Sequence, residues 1–298
     1  MNQVGSQRSE TRSKKLEARR KSCLWPLASL LLSLILLLTV HCSLPTVSHA
    51  AEAVDIVRKS QLAFLYPGKD MKARVYMKLI SKDGKERIRE MTMLRKNYQE
   101  GGDQKYFIYF YQPQDVRDMT FMVYKFSGRD DDRWLFMPAL NMVRRIAAND
   151  KRSSFVGSDF TYEDISGRDI EDDVYEFIKI EEAPGNPCIQ KECYKIKSAP
   201  KDEKGADFSY KLSWVDKNSS LPLKEEYYDK RGELYKVFTA EEIKDIQGFP
   251  VITMRTMKDM KTGHRTEVEF KKVEFNVGLE DDLFTERYLK KPLKKCIE

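Results

Sequence analysis

Apolar residues recur with a helical period from Ala51 to about Tyr66. Val54, Val57, Leu62 and Leu65 fall at roughly helical spacing, and Pro67-Gly68 marks the stop. Beyond that point the period changes to two. Ala73, Val75, Met77 and Leu79 alternate with Lys72, Arg74, Tyr76 and Lys78, which predicts a strand with one wet face. Asp83-Gly84 supplies a hairpin turn and Arg87–Arg95 returns. Tyr106–Tyr111 (YFIYFY) is apolar at every position and predicts a central strand covered on both sides. Further strands are predicted at Thr120–Phe126, Arg133–Met137, Met142–Ala147, Val174–Ile180, Cys193–Lys197 and Phe208–Asp216. Four more follow, at Leu223–Asp229, Leu234–Ile243, Val251–Met257 and Thr266–Phe275. Roughly eleven to thirteen strands in meander order, with few helices, predict one large antiparallel sheet of the mainly β class. The absence of a Pro-, Gly- or Ser-rich linker makes residues 51–298 a single domain.

The first 50 residues have a different character. Seven basic residues and two acidic ones precede or flank an apolar run from Leu24 to Val40, and Ser48-His49-Ala50 places small residues where a signal peptidase needs them. Residues 1–50 therefore read as an export signal cut after Ala50, with an uncleaved anchor as the rival because the apolar run approaches a bilayer span. Arg19-Arg20 hints at a twin-arginine signal without further consensus. His41 before Cys42 is unsuited to a lipoprotein signal. Outside this leader the charge is nearly balanced, 46 Lys+Arg against 45 Asp+Glu, so the body has no basic excess for nucleic acid.

Candidate chemistry is sparse. Of three histidines only His264 lies in the body, in a turn context, so a multi-histidine metal site cannot be built. No Gly-x-Ser-x-Gly, phosphate loop or dinucleotide fingerprint occurs, and the acidic triplets at 130–132, 171–173 and 280–282 read as solvated turns. The chain is expected to be no enzyme and to need no cofactor or metal. Cys188 and Cys193 flank a four-residue hairpin loop, where an oxidising compartment favours a disulfide contributing about 2 kcal/mol. Zinc is the alternative, though no second ligand pair is at hand. Cys296 is left as a free thiol on a frayed tail.

The apolar surplus has two readings. Phe107, Tyr109 and Tyr111 share one side of the double-sided strand; Tyr106, Ile108 and Phe110 share the other. Trp134 pairs with Phe136 on one face, and Phe208, Tyr210, Leu212 and Trp214 fall on another. Such residues either fill a core or line an adaptable greasy cavity. Arg144 and Arg145 point to opposite faces of their strand, so one of them turns inward toward an anionic or carbonyl group, or else both make surface salt bridges.

Several stretches resemble a known family. They are Arg133-Trp134-Leu135-Phe136-Met137-Pro138-Ala139-Leu140, Val143-Arg144-Arg145-Ile146, and Ser154-Phe155-Val156-Gly157-Ser158-Asp159-Phe160-Thr161-Tyr162-Glu163-Asp164. Trp214-Val215-Asp216-Lys217 then leads into Leu221-Pro222-Leu223-Lys224, and Phe275-Asn276-Val277-Gly278-Leu279 is followed by Leu283-Phe284. Over nearly the whole body the chain resembles the outer-membrane lipoprotein-sorting, LolA-like proteins. The resemblance implies an incomplete, strongly curved antiparallel barrel with covering helices and a periplasmic cavity for the acyl chains of lipids or lipoproteins. It also implies companionship with an RND-type inner-membrane exporter. On the carrier reading, Phe107, Tyr109, Tyr111, Trp134, Phe136 and Trp214 are the expected lining, with Arg144 as the inward charge. The other reading is an adaptor on an envelope exporter that holds no lipid.

Overall fold

The computed structural model describes residues 45–184 and 191–297; the leader ahead of Pro45 and Cys188 lie outside the described residues. A helix α1 (Pro45–Leu65) leads into β1 (Asp70–Ile80), β2 (Glu86–Asn97), β3 (Gln104–Gln112), β4 (Thr120–Lys125), β5 (Asp132–Met137) and β6 (Met142–Ile146). A connection over residues 147–172, holding the short helix α2 (Tyr162–Ser166), precedes the second run of strands. These are β7 (Asp173–Glu182), β8 (Glu192–Pro200), β9 (Tyr210–Asp216), β10 (Pro222–Tyr228), β11 (Leu234–Ile246), β12 (Phe249–Asp259) and β13 (Arg265–Phe275). Two short helices, α3 (Glu286–Lys290) and α4 (Lys294–Ile297), end the described chain.

All thirteen strands form one curved antiparallel sheet in the order β6-β5-β4-β3-β2-β1-β13-β12-β11-β10-β9-β8-β7. The sheet is an unclosed barrel: β6 and β7 are its two edges, and β1 meets β13 in the middle with Met71 opposite Phe275. Because the chain leaves the sheet at one edge and re-enters at the other, residues 147–172 must cross the open side. Phe155 in this connection is buried against Phe110 and Phe121, with ring centroids 6.0 and 5.2 Å apart.

The predicted alternation appears as a two-sided core. Met71, Ala73, Val75, Met77 and Leu79 of β1 face inward with Met91 and Met93 of β2 and Tyr106, Ile108 and Phe110 of β3. Helix α1 buries Ala53 and Ile56, with Val57 beside them, against Tyr175, Phe177, Ile196 and Val215. These helix positions lie three and four apart, which gives one apolar stripe over the β7–β9 end of the inner face.

The outer face of β2–β5 is covered by the C-terminal segment. Leu279, Leu283, Phe284, Leu289 and Ile297 pack on Leu94, Phe107, Tyr109, Met122 and Phe136. Asp70 anchors the start of this segment by accepting the backbone N–H groups of Val277, Gly278 and Leu279 at 2.7, 2.9 and 2.8 Å. Thr92 and Tyr111 hold its end, each donating to the Ile297 carbonyl. The tail is thus docked rather than frayed, and Cys296 packs against this second cluster. Its four apolar positions are too widely spaced along residues 279–289 to read as a periodic element in sequence.

Candidate functional site

Two adjoining cavities lie between the inner face of the sheet, helix α1 and the 147–172 connection. One encloses about 160 Å³ and the other about 60 Å³, and they share Phe64, Leu65, Asp164 and Arg255. The larger one is walled by Phe64 of α1, Phe160 of the connection, Phe208 just ahead of β9, and Tyr227, Phe238 and Met257 from the sheet. Phe64 meets Phe238 edge to face with ring centroids 6.2 Å apart. The result is a groove of aromatic and methionine side chains whose ionic groups, Arg255 apart, are fixed by partners.

Those partners are specific. Glu225 accepts from Lys211 at 2.6 Å, from Tyr227 at 2.6 Å and from Ser213 at 3.1 Å. Burial acts to depress the Lys211 ammonium, but Glu225 beside it outweighs that and raises its pKa. Asp164 accepts from Lys236 at 2.9 Å and from the Thr161 backbone at 2.8 Å. Burial opposes its charge, yet these donors hold the carboxyl below its ordinary range. Arg168 pairs with Asp173 at 3.0 Å.

The segment Gly157–Asp164 builds one wall residue by residue. Val156 and Gly157 take positive φ, 50° and 78°, to reverse the chain. The Ser158 hydroxyl closes the turn on the Phe155 carbonyl at 2.8 Å, Phe160 enters the groove, and Thr161 with Asp164 forms a capping box for α2. Asp159 reaches across to His264 Nδ1 and to the Thr266 hydroxyl, both at 2.7 Å. His264 is therefore a clasp between this loop and the β12–β13 hairpin, rather than the exposed turn residue its Thr-Gly-His context suggested. That role needs a contact 105 residues distant in sequence, which no local pattern reveals.

Gly167 ends α2 under the lip of α1. Its backbone, φ 80° and ψ 151°, suits glycine alone, and a Cβ there would lie 2.4 Å from Leu65 Cδ1. Gly167→Ala is expected to cost about 1–3 kcal/mol through the backbone and to force the Leu65 side chain at the end of α1 to repack. A lower urea midpoint, with faster hydrogen exchange confined at first to residues 60–65, would show it; an unchanged midpoint would contradict it.

The structure places the residues expected to line the cavity elsewhere. Phe107, Tyr109, Tyr111, Trp134 and Phe136 come together, but on the outer face beneath the C-terminal segment, and they line neither cavity. Trp214 is buried opposite Ser213 and Val215, which do line the groove; its indole N–H donates to Glu181 at 2.9 Å and Lys195 stacks on its ring. Phe208 precedes β9 and escapes its alternation, so it does not share a face with Trp214 but enters the groove. Arg144 pairs with Asp150 at 3.5 Å and Arg145 with Asp132, both half exposed or more, so neither turns inward. The arginines that border the cavities are Arg95, Arg168 and, on both, Arg255 of β12. Cys193 carries a buried free thiol whose pKa burial pushes up to about 12, while its expected partner Cys188 is outside the described residues. Among the described residues no cluster of three His, Cys, Asp or Glu is arranged for a metal ion, and no helix is long and apolar enough to cross a membrane.

A family model described only as an uncharacterized protein matches residues 102–291. Among solved structures, a domain described as an outer membrane lipoprotein-sorting protein from Vibrio parahaemolyticus is 29% identical. The match covers 81% of this chain and 100% of that one, with a TM-score of 0.73. A DUF1329 family protein from Desulfovibrio piger is 28% identical over 81% of this chain and 99% of its own, also with a TM-score of 0.73. A LolA superfamily protein from Nitrosomonas europaea shares the fold, at 20% identity over 79% and 98% of the two chains and a TM-score of 0.61. No curated protein matches the sequence. The unclosed curved sheet, the Gly157–Asp164 wall and these matches agree with the resemblance read from the sequence: the chain has the LolA-like fold and belongs to the family whose model matches residues 102–291.

Proposed function

We propose that this protein is a periplasmic carrier that shelters the acyl chains of lipids or lipoproteins on their way to the outer membrane. The observation that carries this reading is the groove itself, walled by Phe64, Phe160, Phe208, Tyr227, Phe238 and Met257 between α1 and an unclosed sheet. Carriage needs no catalytic group. Each buried methylene contributes about 0.8 kcal/mol, so a chain binds firmly, and an equally apolar acceptor takes it without a large barrier. Residues 1–50 are the export signal on this reading, 51–298 the carrier, and an RND-type exporter a candidate partner.

The groove is narrow. At about 160 Å³ it is smaller than the roughly 300–1,000 Å³ of typical ligand pockets. Loading a long chain therefore requires the groove to widen, and α1 is a wall outside the sheet ladder. Its C-terminal end is tied by few polar contacts, chiefly Gln61 to the Arg168 carbonyl at 3.0 Å and Gln104 to the Leu65 carbonyl at 2.8 Å.

Native mass spectrometry with lipid extraction, on protein purified from the periplasm, tests the reading. Phospholipid or lipoprotein co-purifying at about one per chain is the expected result, with the chain beginning at Ala51. A bare mass, unchanged after incubation with lipid vesicles, would replace the carrier with an exporter adaptor that holds no lipid.

A further inference from the structure

The charged side chains of the larger cavity are Glu163, Asp164, Arg168, Asp173, Lys211, Glu225 and Arg255. All but one form ion pairs: Glu163 with Lys151 and Arg168, Asp164 with Lys236, Asp173 with Arg168, and Lys211 with Glu225. Arg255 has no carboxylate within 4.0 Å among the described residues. Its Nε is buried and has no hydrogen-bond partner. The guanidinium is instead packed among aromatic rings, with Cζ 5.3, 5.6 and 4.8 Å from the centroids of Phe64, Phe160 and Phe270.

A cation in this setting is stabilised only in part by ring faces, because a buried N–H without an acceptor keeps its desolvation penalty. Other arginines with buried, unpartnered nitrogens are accounted for differently. Arg133 pairs with Asp131 at 2.6 Å, Arg95 borders only the smaller cavity and donates to the Pro67 carbonyl, and Arg89 lies beside Gly157 and borders neither cavity. Arg255 alone stands at the junction of both cavities, with Ala240 and Val268 as its cross-strand neighbours. Neither neighbour can neutralise it, and Asp164, which favours its charge from across the groove, is paired with Lys236 and gives the Nε no acceptor. An arriving oxyanion would supply the missing acceptor, and a guanidinium fork suits a carboxylate or a phosphate equally.

We propose that Arg255 is an oxyanion-binding subsite within the groove, and that the preferred ligand is an anionic amphiphile. Its carboxylate or phosphate sits on the Arg255 guanidinium while its chain lies along Phe64, Phe160, Phe238 and Met257. This rests on the carrier reading and narrows it, since a purely neutral acyl group leaves the Arg255 Nε without a charged acceptor.

Displacement of Nile red from the purified, delipidated protein near neutral pH tests it, with oleate, oleyl alcohol and inorganic phosphate as competitors. Oleate is expected to displace the dye at a concentration about tenfold below that of oleyl alcohol, a difference of about 1.4 kcal/mol. Arg255→Gln removes this preference while leaving displacement by the alcohol, and Arg255→Lys keeps part of it. Phosphate alone neither displaces the dye nor blocks oleate. Equal displacement by both lipids in the unaltered protein overturns the subsite and leaves the carrier reading standing; that comparison needs no variant to fold. Displacement by neither lipid removes both. A preference that survives Arg255→Gln, or phosphate blocking oleate, overturns the assignment of an amphiphile to Arg255.

Discussion

Phe284→Ala is expected to lower the free energy of unfolding by about 3–5 kcal/mol, a large part of the 5–15 kcal/mol typical of a whole domain. Phe284 is fully buried between the C-terminal segment and the outer face of the sheet, in the cluster formed by Phe107, Tyr109, Met122 and Phe136. Its carbonyl also accepts from the Tyr124 hydroxyl, so loosening this turn exposes a second polar contact. Truncation leaves a void that the sheet cannot collapse to fill, because β3 and β4 are held by their neighbours on both sides. Urea unfolding measures the effect. The folded fraction is expected to bind Nile red and oleate as the unaltered protein does, because Phe284 lines neither cavity. If the variant instead keeps its stability and loses lipid, acyl chains lie under the C-terminal segment, where Phe107, Tyr109, Tyr111, Trp134 and Phe136 would then be their lining.

Phe64→Ala is the converse experiment. Phe64 is half-buried on α1, and its ring faces Phe238 and Arg255 across the groove. Losing one aromatic wall forfeits roughly 1.5–3 kcal/mol of contact with a bound chain, which is about a 10- to 150-fold weaker affinity. The cost to stability is expected to be smaller than for Phe284→Ala, since part of the ring is already exposed. Titration of a fluorescent acyl probe, set beside the urea midpoint, separates the two effects. Unaltered affinity in a folded Phe64→Ala protein would remove the groove beneath α1 as the binding site.

The strands were legible in the sequence because each carries a period-two pattern bounded by turn residues. Alternation at Ala73, Val75, Met77 and Leu79 marks β1, and Asp83-Gly84 ends it. The double cover of β3 was legible too, from six consecutive apolar residues. Which of its faces meets the groove was not. Both are aromatic, and the answer depends on where residues 279–297 dock, a contact with separations such as the 160 positions from Tyr124 to Phe284 and the 205 from Thr92 to Ile297. Arg255 was hidden for a related reason. Within Ile252–Met257 the inward and outward positions are both mixed, so only the register with Ala240 and Val268 turns its side chain inward. The family motif at Gly157–Asp164 pointed to the right wall, although the contacts of Asp159 and Asp164 are tertiary.

The order of strands has a consequence for how the chain comes together. Read from β7 through β13 and then from β1 through β6, every strand pairs with its successor, so the sheet is a simple meander whose chain has been cut and rejoined elsewhere. Each half is built from neighbouring hairpins, which close early at little entropic cost. The seam between β1 and β13 is the one pairing that must wait for both ends of the sheet. Until β13 arrives, Arg74 and Lys78 stand along the open margin of β1, the kind of charged border that keeps an unpaired strand from recruiting another chain. The smaller cavity, walled by Met71, Met93 and Tyr106 from one half and by Ile252, Phe270 and Phe275 from the other, encloses nothing before the seam is made.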